Sequence, residues 1–279
     1  MKKLTKIVAL CLCMMMLFSQ VVMADSANEY ISLGADLTAK EKATVLDLLD
    51  IDNIDDYQVS YVTNEQEHKY LDEYLSSRVI GTRALSSVRV QEGGDGIEVT
   101  THNITYCTAG MYRNALATAG MENAIVTVAG PFNISGTAAL VGAMKAYSEM
   151  TGKDISQDNL DAANEELVVT GTVAEDIGDE DAEKLMALIK QKVVEEDISS
   201  SEDIKRIIEE SAKELNVRLS DKDRELIEKL MKKIDSLDLD VNQLKKQAKD
   251  IYKKLESMGL TVGKGLWERI RAWLLQLLS

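Results

Sequence analysis

Apolar positions in this chain follow three rhythms in turn. From Ile7 to Phe18 they are continuous; from residue 31 to about 152 they switch every few residues between alternation and helical spacing; from about 153 onward helical spacing prevails. In the second zone, "ISLGADLTAKEKATVLDLLDI" predicts a short strand, a cap at Asp36 or Thr38, and a helix with Val45, Leu46, Leu48 and Leu49 inward. "YQVSYVT" alternates as a strand with Tyr57, Val59 and Tyr61 on one face, and "NEQEHKYLDEYLSS" follows as a helix opened by Asn64 with Glu67 three residues on. "SSVRVQEGGDGIEVTTHNI" gives two strand runs about Gly93, Gly94, Asp95 and Gly96, which accept positive φ and so predict a hairpin. A helix from about Thr108 to Met121, the strand "AIVTVA" and a helix from about Ser135 to Met150 complete the zone.

Beyond residue 153 the helical segments are separated by polar breaks near Gly171, Gly178, Ser199 to Ser201, Ser220, Ser236 and Gly259, with Leu215, Leu219, Leu226, Ile227, Leu230 and Ile234 on inward stripes. The expected architecture is an α/β N-terminal domain, a mixed sheet with flanking helices, over residues 25–152. An all-α helical region over 153–262 and an amphipathic C-terminal helix over 263–279 follow it.

The continuous apolar run changes the picture of where the chain works. A lysine-rich start, that run, and small residues at Val22 and Ala24 make residues 1–24 a secretory signal peptide. Leu10 before Cys11 argues against a lipoprotein, so the expectation is a secreted, extracellular or cell-envelope-associated protein with no transmembrane segment after cleavage. Loss of Lys2, Lys3 and Lys6 takes the formal charge from −15 to −18, which disfavours nucleic acid as a partner. Only Cys107 remains, so no intramolecular disulfide forms and the core must hold the fold.

The least charged long stretch, "CTAGMYRNALATAGMENAIVTVAGPFNISGTAAL", is the natural place for a ligand. If the strands ending near Asn103 and Ala129 are parallel neighbours, both following helices begin at one sheet edge, where open α/β folds bind ligands. Backbone amides of Thr108, Ala109 and Gly110 and of Ser135, Gly136 and Thr137, with Asn133 beside them, would then face a shared crevice and favour an anion. "GPFNISGT" has neither the glycine spacing nor the lysine of a phosphate-binding loop, and no GxGxxG occurs. Close helix-on-sheet packing explains Ala115, Ala117 and Ala119 equally well, and ordinary capping explains Thr108 and Ser135.

The remaining chemistry is sparse. Arg78, Arg83 and Arg89 either complete an anion site or pair with neighbouring carboxylates. Cys107 precedes a helix start, where a thiol can be activated, but five residues from His102 it reads better as a buried inert cysteine. With two histidines in the chain, neither a triad nor a histidine-rich metal site is supported, and "DLLDIDNIDDY" lacks the glycine and final glutamate of a calcium loop. No metal or cofactor is expected. In the tail, Trp267 and Trp273 share a face with leucines while Lys264, Arg269 and Arg271 lie opposite, a pattern suited to an interfacial anchor or to packing on preceding helices.

"VSYVTNEQEHKYL", "IGTRALSSVRV" and above all "GIEVTTHNITYCTAGMYRNALATAGMENAIVTVAGPFNISGTAAL" resemble the YpuA-like family of secreted proteins from Gram-positive bacteria. The resemblance implies an extracellular, envelope-associated protein. It transfers no residue role, because the family has no assigned catalytic residues. The combined expectation is a non-enzymatic binding or interaction protein whose partners are cell-wall polymer, a membrane surface or an envelope protein. The alternative is a secreted hydrolase or transferase with its site at the sheet edge near Thr108 and Ser135.

Overall fold

The computed structural model describes residues 29–257. The leader, residues 1–24, and the tail with Lys264, Trp267, Arg269, Arg271 and Trp273 lie outside them.

The chain begins with a parallel unit: strand β1 (Glu29–Gly34), helix α1 (Ala39–Leu48) and strand β2 (Gln58–Val62), with β2 alongside β1. Thr38 starts α1 through a capping box, accepting from the Glu41 amide while the Glu41 carboxylate accepts from the Thr38 amide at 2.8 Å. Helix α2 (Asn64–Leu71) starts the same way from Thr63 and Gln66, one residue earlier than the sequence pattern suggests. That shift releases Glu67 from capping and turns it inward, with 1% of its surface exposed. A single turn, α3 (Ser77–Ile80), then leads into β3 (Ser87–Glu92), antiparallel to β1.

A second parallel unit follows: β4 (Ile97–Ile104), α4 (Ala109–Thr118) and β5 (Ala124–Ile134). The sheet order is β2-β1-β3-β5-β4, so the mixed sheet with flanking helices expected from the sequence is present. The predicted β3–β4 hairpin is not. The glycine turn reverses the chain, but β5 enters between the two strands and pairs Ser87–Glu92 with Ala124–Ala129. Asn123 holds the turn open around the incoming strand, its side chain accepting from the Gly96 amide at 3.0 Å. Pairing there is decided by burial: Val126 and Val128 on β5 are fully buried, as a central strand requires.

Helix α1 covers one face of the sheet through Ile31, Leu33, Val45, Leu49, Ile51 and Ala129. Helices α4 and α5 (Thr137–Thr151) cover the other, against Val88, Val90, Val126 and Val128. Five further helices complete the described chain: α6 (Gln157–Ile177), α7 (Asp179–Glu196), α8 (Ser201–Leu215), α9 (Asp221–Asp235) and α10 (Val241–Ser257). Ser156, Ser200 and Ser220 cap α6, α8 and α9 by accepting the third backbone amide of each helix. The predicted stripe holds, with Leu215, Leu219, Ile227, Leu230 and Ile234 buried and Leu226 packed at the margin.

One buried cluster runs from Val62 to Ala248 through the sheet face and the helical half alike. Each wholly buried leucine or isoleucine in it contributes about 1.5–3 kcal/mol of transfer free energy. Helix α7 is the axis of this half, packing on α4, α6, α8, α9 and α10. Its Lys190 and the Glu166 of α6 are both fully buried and form an ion pair at 2.9 Å. The ammonium also donates to the Asn114 carbonyl at 2.8 Å and to Thr118 Oγ1 at 3.0 Å, so the pair ties α4 to the helical half.

Candidate functional site

Strands β4 and β5 are parallel neighbours, with His102 opposite Ala129, so α4 and α5 do begin at the same sheet edge. Between His102 and Ile104 on β4, β5 advances from Ala129 to Ile134, and the extra length bulges outward. Asn103, in the left-handed region at φ 58°, braces the bulge by donating to the Gly130 carbonyl at 3.0 Å. Phe132 and Asn133 are thereby lifted into solvent, Phe132 with half its surface exposed.

The two helix starts are each met by a glutamate of the chain itself. At α4, Thr108 caps by accepting from the Met111 amide and donates its hydroxyl to Glu183 of α7. A Cβ on Gly110 would overlap that carboxylate, so Gly110 is glycine because Glu183 lies against it. Burial pushes the Glu183 carboxyl above its ordinary range, opposed by the Thr108 hydroxyl. At α5, Gly136 is the cap at φ 98°, where a Cβ would fall 2.5 Å from the Tyr112 hydroxyl and 2.7 Å from Ile104. Thr137 donates to Glu67 Oε1 at 2.8 Å, and Asn64 donates to the other oxygen at 3.2 Å. Burial nevertheless pushes the Glu67 carboxyl up to about 7.

The structure therefore divides the predicted residues between two places. Thr108, Ala109 and Gly110 face α7, with Glu183 over them. Asn133, Ser135 and Thr137 line a cleft of about 520 Å³ between the β5 bulge, the start of α5 and the segment from Arg78 to Ser86. Glu67 forms its floor; Arg78, Thr105, Tyr106 and Phe132 contribute to its walls. Gly136 lies buried beneath Ser135, whose hydroxyl is 3.2 Å from Thr137 Oγ1.

Of the three arginines, Arg83 forks onto Glu41 at 2.7 and 3.2 Å and reaches the Asp36 carbonyl. Arg89 pairs with Glu29 at 2.7 Å and lies over the Tyr57 ring. Arg78 is exposed at the cleft and forms no ion pair among the described residues. Cys107 is fully buried and its thiol is pushed up to about 12 by desolvation, with Tyr112 and Glu67 rather than His102 acting on it. Asp47, Asp50, Asp52, Asp55 and Asp56 are all exposed. Among the described residues no group of three or more histidine, cysteine or carboxylate side chains could hold a metal. No described helix is long and apolar enough to cross a membrane.

Glu67 and Glu183 are the site residues that sequence reasoning missed. Glu67 precedes Leu71 by four, on the inward face of α2, and that spacing was the available signal. Nothing near Glu183 in the sequence marks it as a partner of a helix start 75 residues away.

Residues 33–251 match the family described as "Protein of unknown function (DUF1002)". The chain belongs to this family. Within it, the chain is 39% identical over 253 residues to the "Uncharacterized protein YpuA" of Bacillus subtilis (strain 168), an alignment covering 88% of this chain and 87% of that one. The resemblance read from the β4–α4–β5 stretch is thereby confirmed. No solved structure matches the chain.

Proposed function

We propose that this family member is a secreted, cell-envelope-associated binding protein, and that its ligand is held in the cleft floored by Glu67. The observation that carries this is the composition of that cleft. Half-exposed Phe132, Arg78 with no ion pair among the described residues, Asn133 and the Ser135 and Thr137 hydroxyls surround about 520 Å³. An exposed ring beside mixed donors and acceptors suits a hydroxyl-rich ligand such as a cell-wall glycan, bound by stacking and hydrogen bonds. A strongly anionic ligand is disfavoured, since Glu67 and Glu183 already occupy the helix starts.

The tail provides a second contact in this reading. Residues 221–279 carry more basic than acidic side chains, unlike the rest of the chain, and Lys264, Trp267, Arg269, Arg271 and Trp273 would meet anionic polymer, membrane or an envelope protein. Co-sedimentation of residues 25–279 with isolated Gram-positive cell walls at low and high salt tests it. Binding that weakens with salt and with deletion of residues 263–279 is expected; a truncated protein that fractionates unchanged would remove the anchoring role.

One observation favours the alternative of a hydrolase or transferase. Glu67, at about 7, faces the cleft with the protonation balance of a general acid or base. A Glu67→Gln protein that stays folded and loses a measurable wall-degrading or transfer activity would establish it; unchanged wall binding with no activity in either form leaves the binding role.

A further inference from the structure

Strand β4 ends the sheet order, so one of its edges has no neighbouring strand among the described residues. Parity settles which groups lie on that edge. The Gly96 carbonyl accepts from the Ala124 amide and the Gly96 amide donates to Asn123, so Gly96, Glu98, Thr100 and His102 turn their backbone toward β5. The amides and carbonyls of Ile97, Val99 and Thr101 therefore face outward, and none of them is hydrogen-bonded to another described residue. An edge left open in this way is a template for another extended chain.

The edge runs along a groove of about 470 Å³ that shares no lining residue with the Glu67 cleft. Ile97 to Thr100 form one side, and side chains of α4, α7 and α10 form the other. The sheet end itself holds α10 in place: Lys246 reaches Asp95 at 2.5 Å, and Gln243 donates to the Glu122 carbonyl at 2.9 Å. A single extended segment needs about 4.8 Å beside β4, whereas the sheet edge of a second copy would bring its flanking layers against α7 and α10.

Charge describes the occupant further. Lys246 pairs with Asp95, Lys184 with Glu180 and Asp181, and Glu183 is bonded to Thr108. Half-buried Arg113 and exposed Glu98 also line the groove, and neither makes an ion pair among the described residues. Arg113 acts on Glu183 through space alone.

We propose that the β4 edge is a docking site for an extended peptide of about five residues, which pairs with Ile97, Val99 and Thr101 and places its C-terminal carboxylate on Arg113 and a basic side chain beside Glu98. Main-chain bonds supply the affinity. The two charges fix register and direction. Nothing in this role depends on the Glu67 cleft.

The test is NMR of the labelled mature chain, residues 25–279, titrated to millimolar concentration with two pools of acetylated pentapeptides. Both pools have lysine at the centre and every other position randomised; one has free C-termini and the other is amidated. Amide exchange should slow at Ile97, Val99 and Thr101 and stay as it is at Glu98 and Thr100, which already bond to β5. The free-acid pool should bind about tenfold tighter, the value of one charge-assisted bond, and Arg113→Gln should erase that preference. Thr101→Pro removes one outward amide and no bond to β5, so the folded variant should lose about tenfold in affinity for both pools. No protection along the β4 edge, equal affinity for the two pools, or protection confined to residues 78–86 and 132–137 would each overturn the proposal.

Discussion

The carboxylate of Glu183 accepts the Thr108 hydroxyl and occupies the space a Cβ on Gly110 would need. A helix start that resembles an anion cradle in the sequence is thus neutralised from within, by a side chain of α7. Glu183→Ala should cost about 1–2 kcal/mol in urea unfolding, the combined worth of a capping contact and a charge at a helix N-terminus. A change below about 0.3 kcal/mol, within the usual scatter for surface substitutions, would show that the carboxylate is a bystander.

Glu67 sets a pH dependence. Its folded-state value is about 7 against an ordinary 4.5, so the folded chain holds the proton more tightly than the unfolded chain. The contribution to stability is therefore largest below pH 4.5, declines as pH rises toward 7, and stays low above it. The full swing is about 3 kcal/mol. Glu67→Gln should flatten this part of the stability profile. A native profile already flat between these limits would contradict the assignment.

Lys190 and Glu166 should behave as a unit. Lys190→Met alone leaves a carboxylate with no counter-charge in a wholly buried site and should destabilise by about 3–5 kcal/mol. Adding Glu166→Leu should restore a large part of that loss, because the orphaned charge is then gone. Additive losses in the double variant, measured by urea midpoint, would mean that the pair matters for its hydrogen bonds to Asn114 and Thr118 rather than for charge balance.

Cys107 should be silent in the native protein. Full burial and a thiol pushed up to about 12 leave almost no thiolate at neutral pH. Ellman's reagent should modify it only as fast as the protein opens, and quickly in denaturing urea. Rapid labelling of the native chain would restore it as a nucleophile candidate.

Local chemistry was mostly legible in the sequence where the determinant is local, although α2 is capped by Thr63 and Gln66 rather than by Asn64 and Glu67. Thr38, Thr108, Ser200 and Ser220 announce helix starts because a short polar side chain reaches its own backbone. The β4–α4–β5 crossover could be read from its order of periods. The glycine turn at Gly93–Gly96 misled, since turn residues fix a chain reversal but not which strand lies alongside; that is decided by β5, about 30 residues on. The candidate site was half legible. Asn133, Ser135 and Thr137 do converge on a cleft, while Glu67, whose spacing to Leu71 gives its inward face but not its partner, and Glu183 come from helices distant in sequence. Lys190 within "LMALIKQKVV" shows the same limit: a lysine on an apolar face signals a buried partner but does not say that it is Glu166.

The most direct test is hydrogen exchange of residues 25–279 with and without soluble glycan fragments from Gram-positive walls. Protection should appear in residues 78–86 and 132–137 and disappear in a Phe132→Ala, Arg78→Ala double variant that remains folded. Unchanged exchange in both segments, or protection confined to other parts of the chain, would contradict binding at the Glu67 cleft.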